Sequence, residues 1–301
     1  MTGFQKQVNL TPAPAVAGDF ASANPRASVL AGPGGLVAGS PGVTVGKFAW
    51  VDDDGVTVRS YGTATHAPDG FVHREQQALI TAYLGESSMN VPAGFAITLQ
   101  NEGDYWAVNK GPSASAIGDA IYADYSNGDV YCASGPTGAS ATGAMGATFT
   151  ATGAGTNLTV SAVTGLITVG ETLGTTTGIT AGTTIVSQTS GTPGGAGVYV
   201  TSAATTIAAA TATSFGNTLN VTAVASGTLK VGDPVSGTGI PSGAVIATSA
   251  GGGTGVYTLD QNATAYAAST AVTVTAGVAV TGWKAKSIAA VGELVKISTW
   301  G

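Results

Sequence analysis

The chain has 301 residues and a formal net charge of −6, with only 10 Lys and Arg, so no basic face and no nucleic-acid partner is expected. Charged residues make up 9%, against roughly 25% in an ordinary soluble domain. Hydrophobic residues reach 44% and Gly numbers 46, which excludes a disordered chain and suits strands joined by tight turns.

The one cysteine, Cys132, cannot form an intrachain disulfide, and its strand-like setting in Asp129-Val130-Tyr131-Cys132-Ala133 reads as a small buried thiol. The start, Met1-Thr2-Gly3-Phe4-Gln5-Lys6, lacks the basic-then-apolar order of a signal peptide. No run reaches the ~18 consecutive apolar residues of a membrane helix. The expected setting is a cytoplasm, or something assembled in one, with no membrane partner.

Residues 1–42 lack a core-building period and are broken by Pro12, Pro14, Pro25, Pro33 and Pro41. They read as an extended N-terminal arm, docked through the apolar anchors Phe4, Val16, Phe20, Val29 and Leu30. From Val43 the text changes. Val43-Thr44-Val45-Gly46-Lys47-Phe48-Ala49-Trp50 predicts a strand, Asp53-Asp54-Gly55 a turn, and Val56-Thr57-Val58-Arg59 the returning arm of a β-hairpin. Further strands are predicted over 95–100, 105–109, 120–125 and 130–132. Residues 75–84 alone have helical potential, and 80–84 are read in preference as a strand.

A Gly/Ala/Ser/Thr-rich linker is predicted over 136–156, and beyond it the text repeats. Asn157-Leu158-Thr159-Val160-Ser161-Ala162-Val163 returns as Thr218-Leu219-Asn220-Val221-Thr222-Ala223-Val224, and Val169-Gly170-Glu171 as Val231-Gly232-Asp233. Gly178-Ile179-Thr180-Ala181-Gly182 returns as Gly239-Ile240-Pro241-Ser242-Gly243, and Gly197-Val198-Tyr199-Val200 as Gly255-Val256-Tyr257-Thr258. Four blocks in one order at a spacing of about sixty residues indicate two small β-modules, at 157–216 and 217–276. The last stretch, 277–301, belongs to neither. Its alternation from Leu294 to Thr299 predicts a strand that returns to a domain begun at 43–135, since closing a long loop costs little entropy.

Several blocks together resemble the structural cement proteins of tailed phages. They are Pro14-Ala15-Val16-Ala17-Gly18-Asp19-Phe20-Ala21-Ser22 with Asn24-Pro25-Arg26, Phe71-Val72-His73-Arg74-Glu75-Gln76-Gln77-Ala78-Leu79, Met89-Asn90-Val91-Pro92-Ala93-Gly94-Phe95, Gly103-Asp104-Tyr105-Trp106, and Gly292-Glu293-Leu294-Val295-Lys296-Ile297-Ser298. The resemblance covers roughly the first 135 residues and the last 25. It implies an all-β protein, a discontinuous jelly-roll-like β-sandwich into which the two repeated modules are inserted. It also implies a capsid decoration role on the outer surface of the virion, bridging major capsid proteins. The arm residues Phe4, Pro12, Pro14, Val16, Phe20, Pro25 and Arg26 are the expected capsid interface. Trp50, Trp106, Trp300, Phe20 and Phe71 are the large anchors, a core role being favoured for each. Self-association as a dimer or trimer is expected. The alternative is a head or tail fibre whose repeats bind host surface glycans.

Catalytic chemistry is not expected. Asp52-Asp53-Asp54-Gly55 lacks the alternating ligands and distant Glu of a calcium loop and reads as a turn. His66 and His73 have no cysteine or carboxylate at zinc-ligand spacing and are placed at a loop surface. Ser87-Ser88 lacks the flanking glycines of a nucleophile elbow. Glu86, Glu102 and Asp104 are close in sequence, as paired carboxylates for glycoside cleavage would be, but Asp104 sits in the Gly103-Asp104-Tyr105-Trp106 turn. No cofactor or metal is expected, and no catalytic residue is assigned.

Overall fold

The computed structural model describes residues 15–62, 66–75 and 89–300. Every regular element among them is a strand. The chain divides into two compact units. One takes residues up to Ser60, Ala67–Pro136 and Ala279 onward, and the other takes Tyr61–His66 and Thr137–Val278.

The first unit opens with short strands β1 (Ala27–Ser28), β2 (Val37–Ala38) and β3 (Val43–Thr44). There follow β4 (Phe48–Val51), β5 (Thr57–Arg59), β6 (Gly70–Val72), β7 (Asn90–Val91) and β8 (Leu99–Glu102). Next come β9 (Asp104–Val108), β10 (Ala120–Asp124) and β11 (Val130–Cys132). The second unit holds β12 (Ala139–Gly165), β13 (Thr172–Leu173), β14 (Ile185–Gly191) and β15 (Gly197–Ser226). It continues through β16 (Val235–Gly237), β17 (Ile246–Thr248), β18 (Gly255–Leu259) and β19 (Ala267–Val274). The chain then re-enters the first unit with β20 (Gly277–Ala285) and ends it with β21 (Leu294–Ser298).

The first unit is a β-sandwich. One sheet runs β1-β8-β6-β4-β5-β2 and the other β11-β10-β20-β21-β9, with β3 and β7 as a separate pair. All four residues of Phe48-Ala49-Trp50-Val51 are apolar because β4 is covered on both faces. Phe48 and Phe71, from the first sheet, meet Trp283 at ring-centroid distances of 5.5 and 6.0 Å, and Tyr105 lies 5.1 Å from Phe71. On the other side Ala49 joins Leu36, Val43, Val58, Val72 and Leu99 in an aliphatic core. The predicted strand over 43–50 is interrupted, since Gly46 takes φ +79° and splits β3 from β4.

The N-terminal segment differs from a separate arm. From residue 15 onward it is built into the sandwich: β1 pairs with β8, β2 runs parallel to β5, and Leu36 and Ala38 are buried. Proline and glycine keep each contact too short for a period to show, yet the backbone donors still find sheet partners. The predicted helix-or-strand region 75–84 lies, apart from Glu75, outside the described residues.

The second unit corrects the linker and the module boundaries. Residues 139–165 form β12, a strand far longer than the usual five or six residues, and β15 is longer still. Each long strand serves two cores in series. Ala139, Ala141 and Met145 of β12 join Leu219, Val221, Tyr257 and Val272. Ala147, Phe149 and Ala151 join Leu158, Leu173, Tyr199 and Ala212. The first module is thus nested within the second, between Met145 and Phe215.

The two first strands are themselves similar, Gly138-Ala139-Ser140-Ala141-Thr142 and Gly146-Ala147-Thr148-Phe149-Thr150. They pair alike, Ala139↔Val274 in one module and Ala147↔Ser214 in the other. Corresponding pairs recur elsewhere: Leu158↔Tyr199 with Leu219↔Tyr257, and Ile185↔Thr201 with Ile246↔Leu259. The two tyrosine hydroxyls donate to the carbonyls of Gly195 and Gly253 at 2.7 and 2.6 Å. At the crossing point Gly146 has φ +77°, and a Cβ there would lie 2.0 Å from the Ser214 carbonyl oxygen. Only glycine passes.

Among the described residues one turn occurs five times, in both units. It is formed by Val16-Ala17-Gly18-Asp19, Ala116-Ile117-Gly118-Asp119, Thr168-Val169-Gly170-Glu171, Lys230-Val231-Gly232-Asp233 and Ala290-Val291-Gly292-Glu293. In each, the acidic residue's N–H donates to the first residue's carbonyl, and the glycine has positive φ, the type II arrangement. In four of them the carboxylate accepts the first residue's N–H. In the fifth, Glu171 Oε1 accepts from Thr168 Oγ1 at 2.9 Å. Glycine N–H and acid C=O then clamp a single strand residue between them, respectively Trp106, Ala285, Ile185, Ile246 and Asn109.

Candidate docking face

The five-stranded sheet buries Tyr105, Ala107, Trp283, Ala285, Val295 and Ile297 on its inner side. Because side chains alternate along strands, the intervening residues point outward. Register then sets neighbours: Lys296 stands opposite Trp106, and Ser298 stands between Asp104 and Lys284. The Lys286 N–H donates to the Lys296 carbonyl at 2.7 Å, continuing that register by one more pair. Lys296 Nζ lies 5.0 Å from the Trp106 ring centroid, a cation–π contact.

The N-terminal segment closes the β9 edge. Gly18 N–H donates to Trp106 O at 2.7 Å, Trp106 N–H to Asp19 O at 2.9 Å, and Ala21 N–H to Asp104 O at 2.9 Å. Phe20 stacks on His73 with centroids 3.8 Å apart, and the Arg26 guanidinium carbon lies 3.5 Å from the Phe20 centroid. Arg74 Nε meets Asp19 Oδ1 at 2.6 Å. Trp300 Nε1 donates to Pro25 O at 3.1 Å and Gly103 N–H to Thr299 Oγ1 at 2.9 Å, so the end of the chain is fastened to the same edge.

Between these parts lies a cleft of about 450 Å³, lined by Ser22, Asn24, Asp104, Lys286, Lys296 and Trp300 among others. Asp104 Oδ2 accepts from Ser22 Oγ at 2.5 Å and Asn24 Nδ2 at 2.6 Å. Burial works to raise the Asp104 pKa, but the Ser22, Ser298 and Asn24 hydrogen bonds and the nearby Lys286 charge together hold it below the usual carboxylate value. Burial likewise lifts the Tyr105 hydroxyl to about 12. It lowers the His73 pKa, with Glu75 opposing.

Of the residues read from sequence as an interface, Val16, Phe20, Pro25 and Arg26 gather along this edge, whereas Phe4, Pro12 and Pro14 lie outside the described residues. Val16 and Phe20 remain 42% and 37% exposed. Trp50 and Phe71 are fully buried, and Trp300 is 40% exposed. Sequence reading missed the lysines Lys284, Lys286 and Lys296 and the cleft, because they converge only through the pairing of β20 and β21. Their alternation with Trp283, Ala285, Val295 and Ile297 was the available signal.

The other candidates are placed as follows. Asp54 accepts N–H groups from Val56 and Thr57 and the Thr57 hydroxyl, and Asp52 pairs with Arg59 at 2.7 Å, so these carboxylates serve the hairpin. His66 is exposed, whereas His73 departs from the expected loop surface because Phe20 covers it. Glu86, Ser87 and Ser88 lie outside the described residues. Among those described, no group of three or more His, Cys, Asp or Glu side chains converges to hold a metal.

A family model described as XM1 gp53 minor capsid protein matches residues 4–169, just over half of the chain. The match includes the N-terminal segment, β9 and the start of the first module. No curated protein and no solved structure matches the chain.

Proposed function

This chain belongs to the XM1 gp53 minor capsid protein family, a phage capsid-associated structural family, and we propose that it is a decoration or cement protein on the outer surface of the head. In this reading it is not an enzyme. It binds the major capsid protein and stabilises seams between capsomers. The supporting observation is the edge of the first unit, where main-chain hydrogen bonds fix a segment that still exposes Val16 at 42%, Phe20 at 37% and Leu30 at 95%. Large apolar side chains held rigidly in water mark an interaction surface, and preorganisation lowers the entropic cost of using it.

A low charge density favours a second contact, between neighbouring copies. Residues 137–278 contain only Glu171, Lys230, Asp233 and Asp260 as charged residues, and Glu171 and Asp233 are buried. Such a surface sheds water at little desolvation cost. Self-association through the modules raises avidity when each copy also grips the shell.

The test uses heads lacking this protein and the purified full chain. Cosedimentation should show saturable binding at hundreds of copies per head, with added density on the outer surface in electron cryomicroscopy. Phe20→Ser with Leu30→Ser should weaken binding at least tenfold while tryptophan fluorescence stays native. Saturation at a few dozen copies or fewer would favour a fibre, and density on the inner surface would refute the decoration reading.

A further inference from the structure

The lysines on the outward face carry the inference. Among the described residues Lys47, Arg59 and Arg74 form ion pairs at 2.9, 2.7 and 2.6 Å, and Arg26 covers Phe20. Among the described residues no carboxylate lies within ion-pair distance of Lys286 or Lys296, although the chain as a whole is acidic. They also stand directly across a strand pair, and like charges in that relation repel. Asp104 offsets part of this, but its Oδ2 is already engaged by Ser22 and Asn24. Lys284 lies two residues along the chain on the same outward face, opposite Ser298. Beside them the Trp300 indole is fixed through its N–H to Pro25 O, leaving the ring partly exposed as a wall.

We propose that this cleft is a docking pocket for a carboxylate-bearing segment of the shell protein, an acidic side chain entering between Lys286 and Lys296 against Trp300. The partner's identity as shell protein rests on the decoration reading; the preference for carboxylate rests on the cleft alone. Binding places an anion in a cleft that Lys286 and Lys296 both line. Charge complementarity of this kind speeds encounter and makes association sensitive to salt.

The experiment has two arms, both on the full chain. In the first, binding of poly-L-glutamate is measured against NaCl concentration, with poly-L-glutamine as the uncharged control. Wild type should bind the acidic polymer alone. Lys286→Gln with Lys296→Gln should weaken it at least tenfold and flatten the salt dependence, while Lys286→Arg with Lys296→Arg retains it. Lys110→Gln, an exposed lysine away from the cleft, should change nothing. Equal binding by the Gln pair and wild type, or equal preference for duplex DNA, would overturn the pocket. Should the Gln pair fail to fold, Trp300→Ala must show the same loss for the proposal to stand. In the second arm the same variants are added to heads lacking the protein. Discrimination in the first arm without any head binding would sink the decoration reading and leave the carboxylate pocket intact.

Discussion

Leu158→Ala and Leu219→Ala remove the same side chain from equivalent places in the two nested cores. Both leucines are fully buried, each directly paired with a buried tyrosine, Tyr199 or Tyr257. Each substitution deletes three buried carbons, about 2.4 kcal/mol of transfer free energy at roughly 0.8 kcal/mol per carbon. The residual cavity brings the cost to about 2.5–5 kcal/mol. The clusters share no residue, so the effects should add within about 0.5 kcal/mol in the double variant. Amide exchange followed by mass spectrometry reads each core separately. Leu158→Ala should speed exchange in peptides from 147–212 by at least about fifty-fold, since each 1.4 kcal/mol is tenfold, and change 219–274 by less than about threefold. Tryptophan fluorescence should not move, because Trp50, Trp106, Trp283 and Trp300 all belong to the other unit. Equal loss of protection in both cores would show that they fold as one body and would refute their energetic independence.

Other outcomes follow from the same structure. Excising residues 147–214 should leave the outer module folded, since Met145 pairs with Leu219 and a short Gly146-Phe215-Gly216-Asn217-Thr218 loop closes the hairpin; retained exchange protection over 255–274 checks it. Burial raises the Glu171 pKa, with Ser214 and Thr168 hydrogen bonds opposing, so folding favours the protonated acid. The inner module is therefore most stable at acid pH and loses stability as pH rises above about 4.5 and through the raised folded value. Glu171→Gln should remove that dependence and raise urea resistance at pH 8; an unchanged pH profile would count against it. Cys132 is fully buried, and burial first, then Asp119, lifts its thiol to about 11, so a thiol reagent at pH 7.5 should react at least about a hundredfold faster in denaturant than in the native protein.

What the amino-acid text determined by itself was class and periodicity. Small, β-branched and glycine-rich composition dictates strands, and alternation such as Leu294-Val295-Lys296-Ile297 marks which residues turn inward, because a strand has a period of two whatever its partner. The repeated Leu–Tyr pairs at 158/199 and 219/257 were equally legible, since each large side chain stands out among small ones. Val169-Gly170-Glu171 and Val231-Gly232-Asp233 were legible as a repeat, but that they form one turn shared with Asp19, Asp119 and Glu293 only the hydrogen bonds reveal. Tertiary structure alone decided three matters. Residues 139–151 are strand rather than linker because alanine and threonine suffice to fill a groove that β15 and β19 provide, so no large residue signals them. The nesting of one module in another depends on which distant strand Ala139 meets, and no local preference encodes that choice. The facing of Lys286 with Lys296 comes from the register of β20 on β21. A slip of one residue would turn every side chain of β21 to the opposite face and dissolve the cleft, so packing of Trp283, Val295 and Ile297 in the core is what sets the charges outside.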